Sequence, residues 1–173
     1  NHPAVFGHVA LMPDCHVGFG MPIGGVIACK NAVIPNAVGV DIGCGMCAVR
    51  TSISVELTNP DLVKKLLNGV RRVVPLGEGK AHPRKQCWEA LDERDGYRPG
   101  GVDSHCWELA YCNLGTLGGG NHFIEIQKGD DGFVWLMIHS GSRNLGYRIA
   151  EYYHKLALDI NTRYNMKIPD KQL

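Results

Sequence analysis

Short apolar runs separated by polar, glycine-rich segments dominate the first third of the chain. Residues 5–12 (VFGHVALM) and 22–29 (PIGGVIAC) predict two short buried strands, with a polar loop (PDCHVGFGM) between them. The apolar segment 45–53 predicts a third strand. Runs of this length, bounded by Gly, Pro and Asp, are typical of strands rather than helices.

The pattern changes to a helical period at residues 59–72 (NPDLVKKLLNGVRR). Asn59 is predicted to cap this helix, Pro60 to occupy its first turn and Gly69 to end it. Its apolar stripe is predicted to consist of Leu62, Leu66 and Leu67.

Two further helices are predicted in the second half of the chain. One begins at Ser104 and runs through Tyr111, and a long one follows the segment GSRN. The apolar face of the long helix is predicted to carry Ile149, Tyr152, Tyr153, Leu156 and Ile160. Residues 76–103 are rich in Pro, Gly and charge, which predicts a variable loop. The whole pattern predicts one α+β domain over residues 1–173.

A hairpin is predicted where NHFIEIQK and FVWLMIHS flank the tetrapeptide GDDG. If all four residues of GDDG form the connection, Lys128 lies opposite Phe133 and His122 lies directly opposite His139. The same face is then predicted to carry Ile124, Ile126, Trp135 and Met137. A shift of one residue would send the two histidines to opposite faces of the hairpin.

The stretch GVDIGCGM places Asp41 and Cys44 three residues apart in an apolar, glycine-rich setting. A buried carboxylate is costly unless it is paired or binds a metal. With His122 and His139 these residues make four ligand-type side chains, which suits Zn, Mn, Fe or Co, and a thiolate can bridge two ions. One histidine on a strand is more often a hydrogen-bonded structural residue than a metal ligand. The prediction of a metal site therefore depends on all four ligand-type side chains together.

Composition limits the possible partners and compartments. The 173 residues are 45% hydrophobic with a net charge of +1, so no global basic field indicates a nucleic-acid partner. No apolar run reaches the ~18 residues of a membrane span. Seven irregularly spaced cysteines favour a reducing, cytoplasmic setting over a disulfide framework. The first residues are predicted to be the interior of a longer chain.

Four motifs resemble the RNA-splicing ligase RtcB family: LMPDCHVGFGMPIGGVIA, AVIPNAVGVDIGCGM, LGTLGGGNHFIEI and IHSGSRNLG. The resemblance implies an RtcB-like α+β fold, with mixed or antiparallel sheets flanked by helices. It also implies a GTP- and Mn(II)-dependent ligase with two Mn ions. Such enzymes join RNA ends bearing a 3′-phosphate or 2′,3′-cyclic phosphate to a 5′-hydroxyl, in tRNA splicing and RNA repair.

The resemblance also implies roles for individual residues. Asp41 and His122 correspond to ligands of one Mn ion, Cys44 to a thiolate shared by both ions, and His139 to a ligand of the second. Asn121 and Glu125 correspond to positions that contact the guanylate.

Two further positions carry alternative interpretations. Asp14 resembles an Asp that orients the guanylylated histidine, or it caps a turn. Arg143 resembles an Arg that holds RNA phosphate, or it is a solvent-facing residue at a helix start.

In the family, the histidine that becomes covalently linked to GMP lies downstream of the region this chain matches. The chain is therefore expected to be a fragment, lacking the family's N-terminal start and this C-terminal part, and to be inactive alone. The family also implies RNA and GTP as partners, and an archease-like activator is conceivable.

Two other function classes remain open at this level. The same ligands would serve a metal-dependent phosphoesterase or nucleotide hydrolase. Alternatively, the chain is a non-catalytic module that binds RNA or a protein partner. A scattered set of basic side chains offers a phosphate-binding surface, although such sets are usually solvated faces: Lys64, Lys65, Arg71, Arg72, Lys80, Arg84 and Lys85.

Overall fold

The structure, a computed structural model, describes residues 2–92 and 98–167. Its elements are, in chain order, β1 (Val5–His16), β2 (Ile23–Cys29), β3 (Gly45–Ser54), α1 (Pro60–Val73), α2 (Glu89–Asp92), α3 (Ser104–Asn113), β4 (Phe123–Lys128), β5 (Phe133–Ser140) and α4 (Leu145–Arg163). Strands β1 and β2 form one antiparallel sheet, and a second antiparallel sheet has the order β3-β5-β4. The predicted α+β class, with antiparallel sheets and helices, is confirmed.

The described residues fall into two compact units. The first comprises residues 2–42, 98–102 and 144–167, and the second comprises residues 43–92 and 103–143. The most buried apolar side chains of the first unit are Ile34, Val102 and Ala150, and those of the second are Leu91, Trp107 and Val134. No described helix combines the length and the apolar character of a membrane span.

Strand β1 is longer than its apolar pattern predicts. It continues to His16, so residues 13–16 belong to the strand and not to the predicted loop. The ladder with β2 is regular from Val9 to Leu11 and resumes at His16 after a break. Pro13 falls within this break, where a residue without a backbone N–H removes no ladder hydrogen bond. The strand therefore passes through a segment whose polar residues and Pro indicated a loop.

Helix α4 buries a different face from the one its large apolar residues predict. Its buried residues are Gly146 and Ala150, and the helix packs against a 3-10 turn at Pro35–Val38. Tyr152 and Ile160 each remain 44% exposed. The prediction for this face is therefore wrong in part.

Helix α1 begins as predicted and ends later than predicted. The Asn59 side chain accepts a hydrogen bond from the Leu62 N–H at 2.8 Å, which confirms the cap. The helix passes through Gly69 to Val73, so the predicted stop is wrong. A glycine in a helix interior costs about 1 kcal/mol relative to Ala, which weakens the helix without ending it. The leucine stripe is half-buried.

Helix α3 confirms the helix predicted from Ser104, with Asp103 as its cap through a 2.7 Å hydrogen bond from the Cys106 N–H. The short helix α2 lies inside the predicted loop 76–103, of which residues 93–97 are outside the described part. The variability predicted for this segment remains a prediction, as does the single domain.

The β4–β5 hairpin exists, but its register differs by one residue from the prediction. Lys128 pairs with Val134, and the Gly129 N–H donates to the Phe133 carbonyl at 2.9 Å. The connection is therefore three residues long and ends at Gly132, whose φ of 81° is accessible to glycine at little cost. The ladder pairs Phe123 with His139.

The shift of register exchanges the predicted neighbours of His139. Ile124 and Ile126 pair with Ile138 and Leu136 on one face of the hairpin. The His139 face instead carries the alternate residues of both strands: Phe123, Glu125, Gln127, Trp135 and Met137. The predicted direct pair of His122 with His139 is therefore wrong.

Candidate metal centre

Three ligand-type side chains meet at one end of the three-stranded sheet. Cys44 immediately precedes β3, His122 immediately precedes β4, and His139 lies near the end of β5. Because β5 runs antiparallel to both neighbours, its end lies beside their beginnings. One ligand atom from each side chain lies within 4.8 Å of the others. The second unit alone therefore supplies a three-residue group that can hold a metal ion.

The position of Cys44 follows from the β3–β5 register. Met46 pairs with His139, so the side chain two residues earlier in the chain is expected on the same face. The Cys44 Sγ lies 3.0 Å from the His139 Nε2. Cys44 is exposed, and both histidines are half-buried. The sulfur is therefore accessible to a ligand from solvent.

His122 reaches the site from the loop before β4. Its Nδ1 donates to the Leu117 carbonyl at 3.2 Å, so in the neutral ring Nε2 is the nitrogen that carries the lone pair. The rings of His122 and His139 are 5.5 Å apart with an interplanar angle of 78°. The two histidines thus lie close together, as the predicted hairpin implied. His122 reaches this position from a loop, however, and not as the cross-strand partner of His139.

The spacing of Cys44 and His139 fits a divalent transition-metal ion. Sulfur and nitrogen ligands bound at about 2.3 and 2.05 Å lie about 3.1 Å apart at a right angle and about 3.6 Å apart at the tetrahedral angle. The observed separation between the Cys44 Sγ and the His139 Nε2 is 3.0 Å, so these two atoms need to move apart by only a few tenths of an ångström to bind one ion. Thiolate and imidazole are ligands for the borderline transition ions, and any remaining positions are open to oxygen ligands.

Two of the predicted acidic site residues belong to the first unit. Asp41 is half-buried in the segment that leads to Cys44. Asp14 lies in β1, where its backbone carbonyl accepts a 2.8 Å hydrogen bond from the His16 Nδ1. Its predicted place in a turn is wrong, because β1 continues past it. The roles of both carboxylates in the site remain predictions.

The predicted guanylate contacts lie beside the histidines along the chain. Asn121 is exposed in the loop next to His122. Glu125 lies on the His139 face of the hairpin, where its Oε2 accepts a 2.8 Å hydrogen bond from the Gln127 Nε2. The corrected register therefore places an exposed carboxylate on the same face as a candidate metal ligand.

Arg143 is held by a residue that the sequence analysis missed. Its Nε donates to the Thr116 Oγ1 at 3.1 Å, and this hydroxyl donates to the Asn113 carbonyl at 2.6 Å. Thr116 is only 6% exposed, the one buried polar side chain among the described residues. The motif LGTLGGGNH contained Thr116, but nothing in its spacing distinguished it from a loop threonine.

Backbone geometry supports a specific role for Arg143. Its φ of 52° is in the left-handed region, which costs a non-glycine residue roughly 1–2 kcal/mol. Its guanidinium packs against Gly118, where an added Cβ would overlap it and where φ is 80°. Strain of this kind persists where the surrounding structure over-determines it, often at functional sites. The Arg143 side chain is therefore half-buried and held by its Nε bond and by its contact with Gly118, and its role in binding an anion remains a prediction.

The loop that carries these residues is tied to a neighbouring segment. The Leu117 N–H donates to the Pro75 carbonyl at 2.9 Å, and the Gly77 N–H donates to the Gly118 carbonyl at 2.8 Å. The Ser140 hydroxyl also donates to the Leu117 carbonyl at 3.4 Å. These bonds fix the carbonyl that orients His122.

Comparisons with known proteins identify the family. The family model described as tRNA-splicing ligase RtcB matches residues 1–173. RNA-splicing ligase RtcB of Escherichia coli is 41% identical over 175 aligned residues, covering 90% of this chain and 41% of that protein. tRNA-splicing ligase RtcB of Thermococcus kodakarensis is 32% identical, covering 99% of this chain and 45% of that protein.

The protein of the same name from Archaeoglobus fulgidus is 33% identical, covering 94% of this chain and 43% of that protein. The chain thus spans less than half the length of these curated relatives. Because the family model matches the chain over its whole length, the chain belongs to the tRNA-splicing ligase RtcB family.

Proposed function

We propose that this chain carries the metal-binding part of a GTP- and Mn(II)-dependent RNA ligase. The enzyme joins RNA ends bearing a 3′-phosphate or 2′,3′-cyclic phosphate to 5′-hydroxyl ends through a covalent histidine–GMP intermediate, as in tRNA splicing and RNA repair. The observation that carries the proposal is the convergence of Cys44, His122 and His139 in a chain that matches the family throughout.

The proposal assigns the metal ligands as follows. His122 and Asp41 hold one Mn(II) ion, His139 holds a second, and Cys44 contributes its thiolate to both. The hydrogen bond from the His122 Nδ1 to a backbone carbonyl supports ligation through Nε2, because it fixes the tautomer. Bound metal ions supply neutralisation of phosphate charge during nucleotidyl transfer.

The other residues bind and position the substrates. Asn121 and Glu125 contact the guanylate, and Asp14 orients the histidine that receives GMP. Arg143 binds an RNA phosphate, for which guanidinium has a geometric match through paired N–H donors. Its bond to Thr116 supports this role, since a side chain held at Nε loses less conformational freedom on binding.

The proposal extends to the fold, partners and compartment. The fold is RtcB-like, the enzyme is cytoplasmic, and an archease-like protein activates it. The histidine that receives GMP lies outside this chain. Incubation of the 173-residue chain with labelled GTP and Mn(II) is therefore expected to give no covalent adduct, whereas an adduct would contradict this part of the proposal.

The ligand assignment is tested by Mn(II) titration of the full-length protein and its Cys44→Ala variant. Loss of a ligand is expected to weaken Mn(II) binding at least tenfold, because even loss of a residue that only orients a ligand costs 10- to 100-fold. Cys47→Ala is the matched control, since Cys47 is also exposed and pairs with Ile138 on the other face of the sheet. Equal affinities for the two variants would refute the assignment.

The ligase activity is tested with RNA halves, GTP and Mn(II). Joining that requires all three is expected, together with a labelled GMP adduct on the full-length protein. Phosphoester hydrolysis that needs metal but not GTP would instead identify a metal-dependent hydrolase.

A further inference from the structure

Helix α1 carries its polar residues on one exposed face. At 100° per residue, Lys64, Lys65, Asn68, Arg71 and Arg72 fall within an arc of about 120°. All five side chains are exposed. The four basic positions span about 12 Å along the helix axis, from a rise of about 1.5 Å per residue. We call this surface the α1 basic face.

The basic residues of this face contrast with four basic side chains that form ion pairs. Four basic side chains elsewhere in the described residues each contact a carboxylate: Arg50 with Asp131, Lys85 with Glu108, Lys155 with Glu151, and Arg163 with Asp159. Across residues 2–92 and 98–167, no ion pair involves any basic residue of the α1 basic face. Four positive charges are thus concentrated there. The single carboxylate in the same arc, Asp61, offsets only one of them, so the face keeps a net positive charge.

The helix itself explains only part of this charge. Arg71 and Arg72 lie in the last turn, where cations interact favourably with the helix dipole. Lys64 and Lys65 lie in the first half of the helix, where the dipole gives them no such benefit. The only carboxylate of the helix, Asp61, lies in its first turn, where it complements the N-terminus.

A surface groove runs beside the basic face. Lys64, Asn68 and Arg71 line it on the polar side, and Val63 and Leu67 line it on the apolar side. Ammonium, guanidinium and amide groups are all donors, and phosphate oxygens are acceptors. Donors in a row along an extended groove match a chain of phosphates better than a single anion.

We propose that the α1 basic face binds the phosphodiester backbone of RNA, outside the metal centre and without reading the base sequence. This inference rests on the proposed function, which makes RNA the substrate. The 173 residues carry a net charge of only +1, so attraction of RNA to this part of the protein depends on local basic surfaces.

The test is the salt dependence of RNA binding by the full-length protein and its Lys64→Gln/Arg71→Gln variant. The probe is a labelled 20-nucleotide single strand with a 3′-phosphate, in EDTA and without GTP. Each phosphate contact contributes about 0.7 to the slope of log affinity against log salt for single strands. The double variant is therefore expected to lower the slope by about 1.4. Raising the salt from 50 to 200 mM weakens binding through four phosphate contacts about 50-fold, and binding through two contacts only about 7-fold.

Lys85→Gln/Lys155→Gln is the matched control, because it removes the same charge from residues already paired with glutamates. Its slope is expected to equal that of the wild type. Equal slopes for the Lys64→Gln/Arg71→Gln variant and the control would overturn the inference. Retention of GMP adduct formation by the variant shows that it is folded. A second variant, Lys65→Gln/Arg72→Gln, is expected to lower the slope equally.

The two proposals fail in different ways. If the wild type joins RNA but the variants retain its slope, the inference is wrong and the proposed function stands. If the wild type does not join RNA with GTP and Mn(II), the proposed function is wrong, and the inference loses its basis.

Discussion

Thr116→Val is expected to destabilise the protein and to release Arg143. Valine has nearly the shape of threonine but lacks the hydroxyl that bonds to Arg143 and to the Asn113 carbonyl, at 3.1 and 2.6 Å. A net hydrogen bond is worth about 0.5–1.5 kcal/mol, and a buried group left without its partner costs more. Arg143 is half-buried, so its guanidinium can bond to water once the threonine hydroxyl is absent. The loss of its bond to Thr116 is therefore given the value of a hydrogen bond between neutral groups. The two bonds together predict a loss of about 2 kcal/mol.

Urea denaturation of the wild type, Thr116→Val and Thr116→Ser measures this loss. Serine retains the hydroxyl and loses one methyl group, worth about 0.8 kcal/mol. Thr116→Ser is therefore expected to be destabilised by less than half as much as Thr116→Val. If the two variants are equally stable, the hydroxyl contributes nothing and the argument from hydrogen bonds is wrong.

The same variants separate stability from positioning. If Thr116 holds Arg143 for an RNA phosphate, the KM for RNA rises in Thr116→Val, and Thr116→Ser restores it. GMP adduct formation does not involve RNA and is expected to change little at a temperature where both variants are folded. An unchanged KM in Thr116→Val would show that the threonine is only structural.

Two further predictions concern the surroundings of the site. Asn59→Ala removes the side chain that accepts the hydrogen bond from the Leu62 N–H, and urea denaturation is expected to show a loss of about 1 kcal/mol in stability. Asn59→Ser keeps a capping oxygen and is expected to retain most of that stability. Equal losses in the two variants would contradict the role of Asn59 as a cap. The Arg50 guanidinium, with help from Trp135, lowers the pKa of Asp131. The stability from this pair is present above the ordinary aspartate pKa of about 3.9 and is lost as pH falls through the lowered value. Asp131→Asn is therefore expected to flatten the fall of Tm below about pH 4, and a parallel Tm profile would refute this.

Local chemistry alone predicted several elements correctly. Asn59 followed by Pro60 predicted the start of α1, because the amide of Asn and the fixed φ of Pro satisfy the geometry of a first turn. Alternating apolar residues around GDDG predicted the hairpin. The identities of Cys44, His122 and His139 as possible ligands were also readable, because ligand chemistry belongs to the side chain.

The hairpin register was not readable from the sequence. The segment GDDG permits connections of either three or four residues, because glycine at either end can adopt a positive φ. In the structure, Asp131 accepts hydrogen bonds from the Phe133 N–H at 3.1 Å and from the Arg50 Nε at 2.7 Å. Arg50 belongs to β3, 81 residues away, so a long-range contact supports the three-residue connection.

The meeting of the ligands was likewise decided by tertiary structure. His122 reaches His139 through a loop held by Leu117, and Arg143 is held by a threonine that no motif distinguished. The sequence by itself determined which side chains can bind a metal or a phosphate, since that depends on their atoms. Which of them meet depends on hydrogen bonds between segments far apart in the chain, and only the folded structure specifies those.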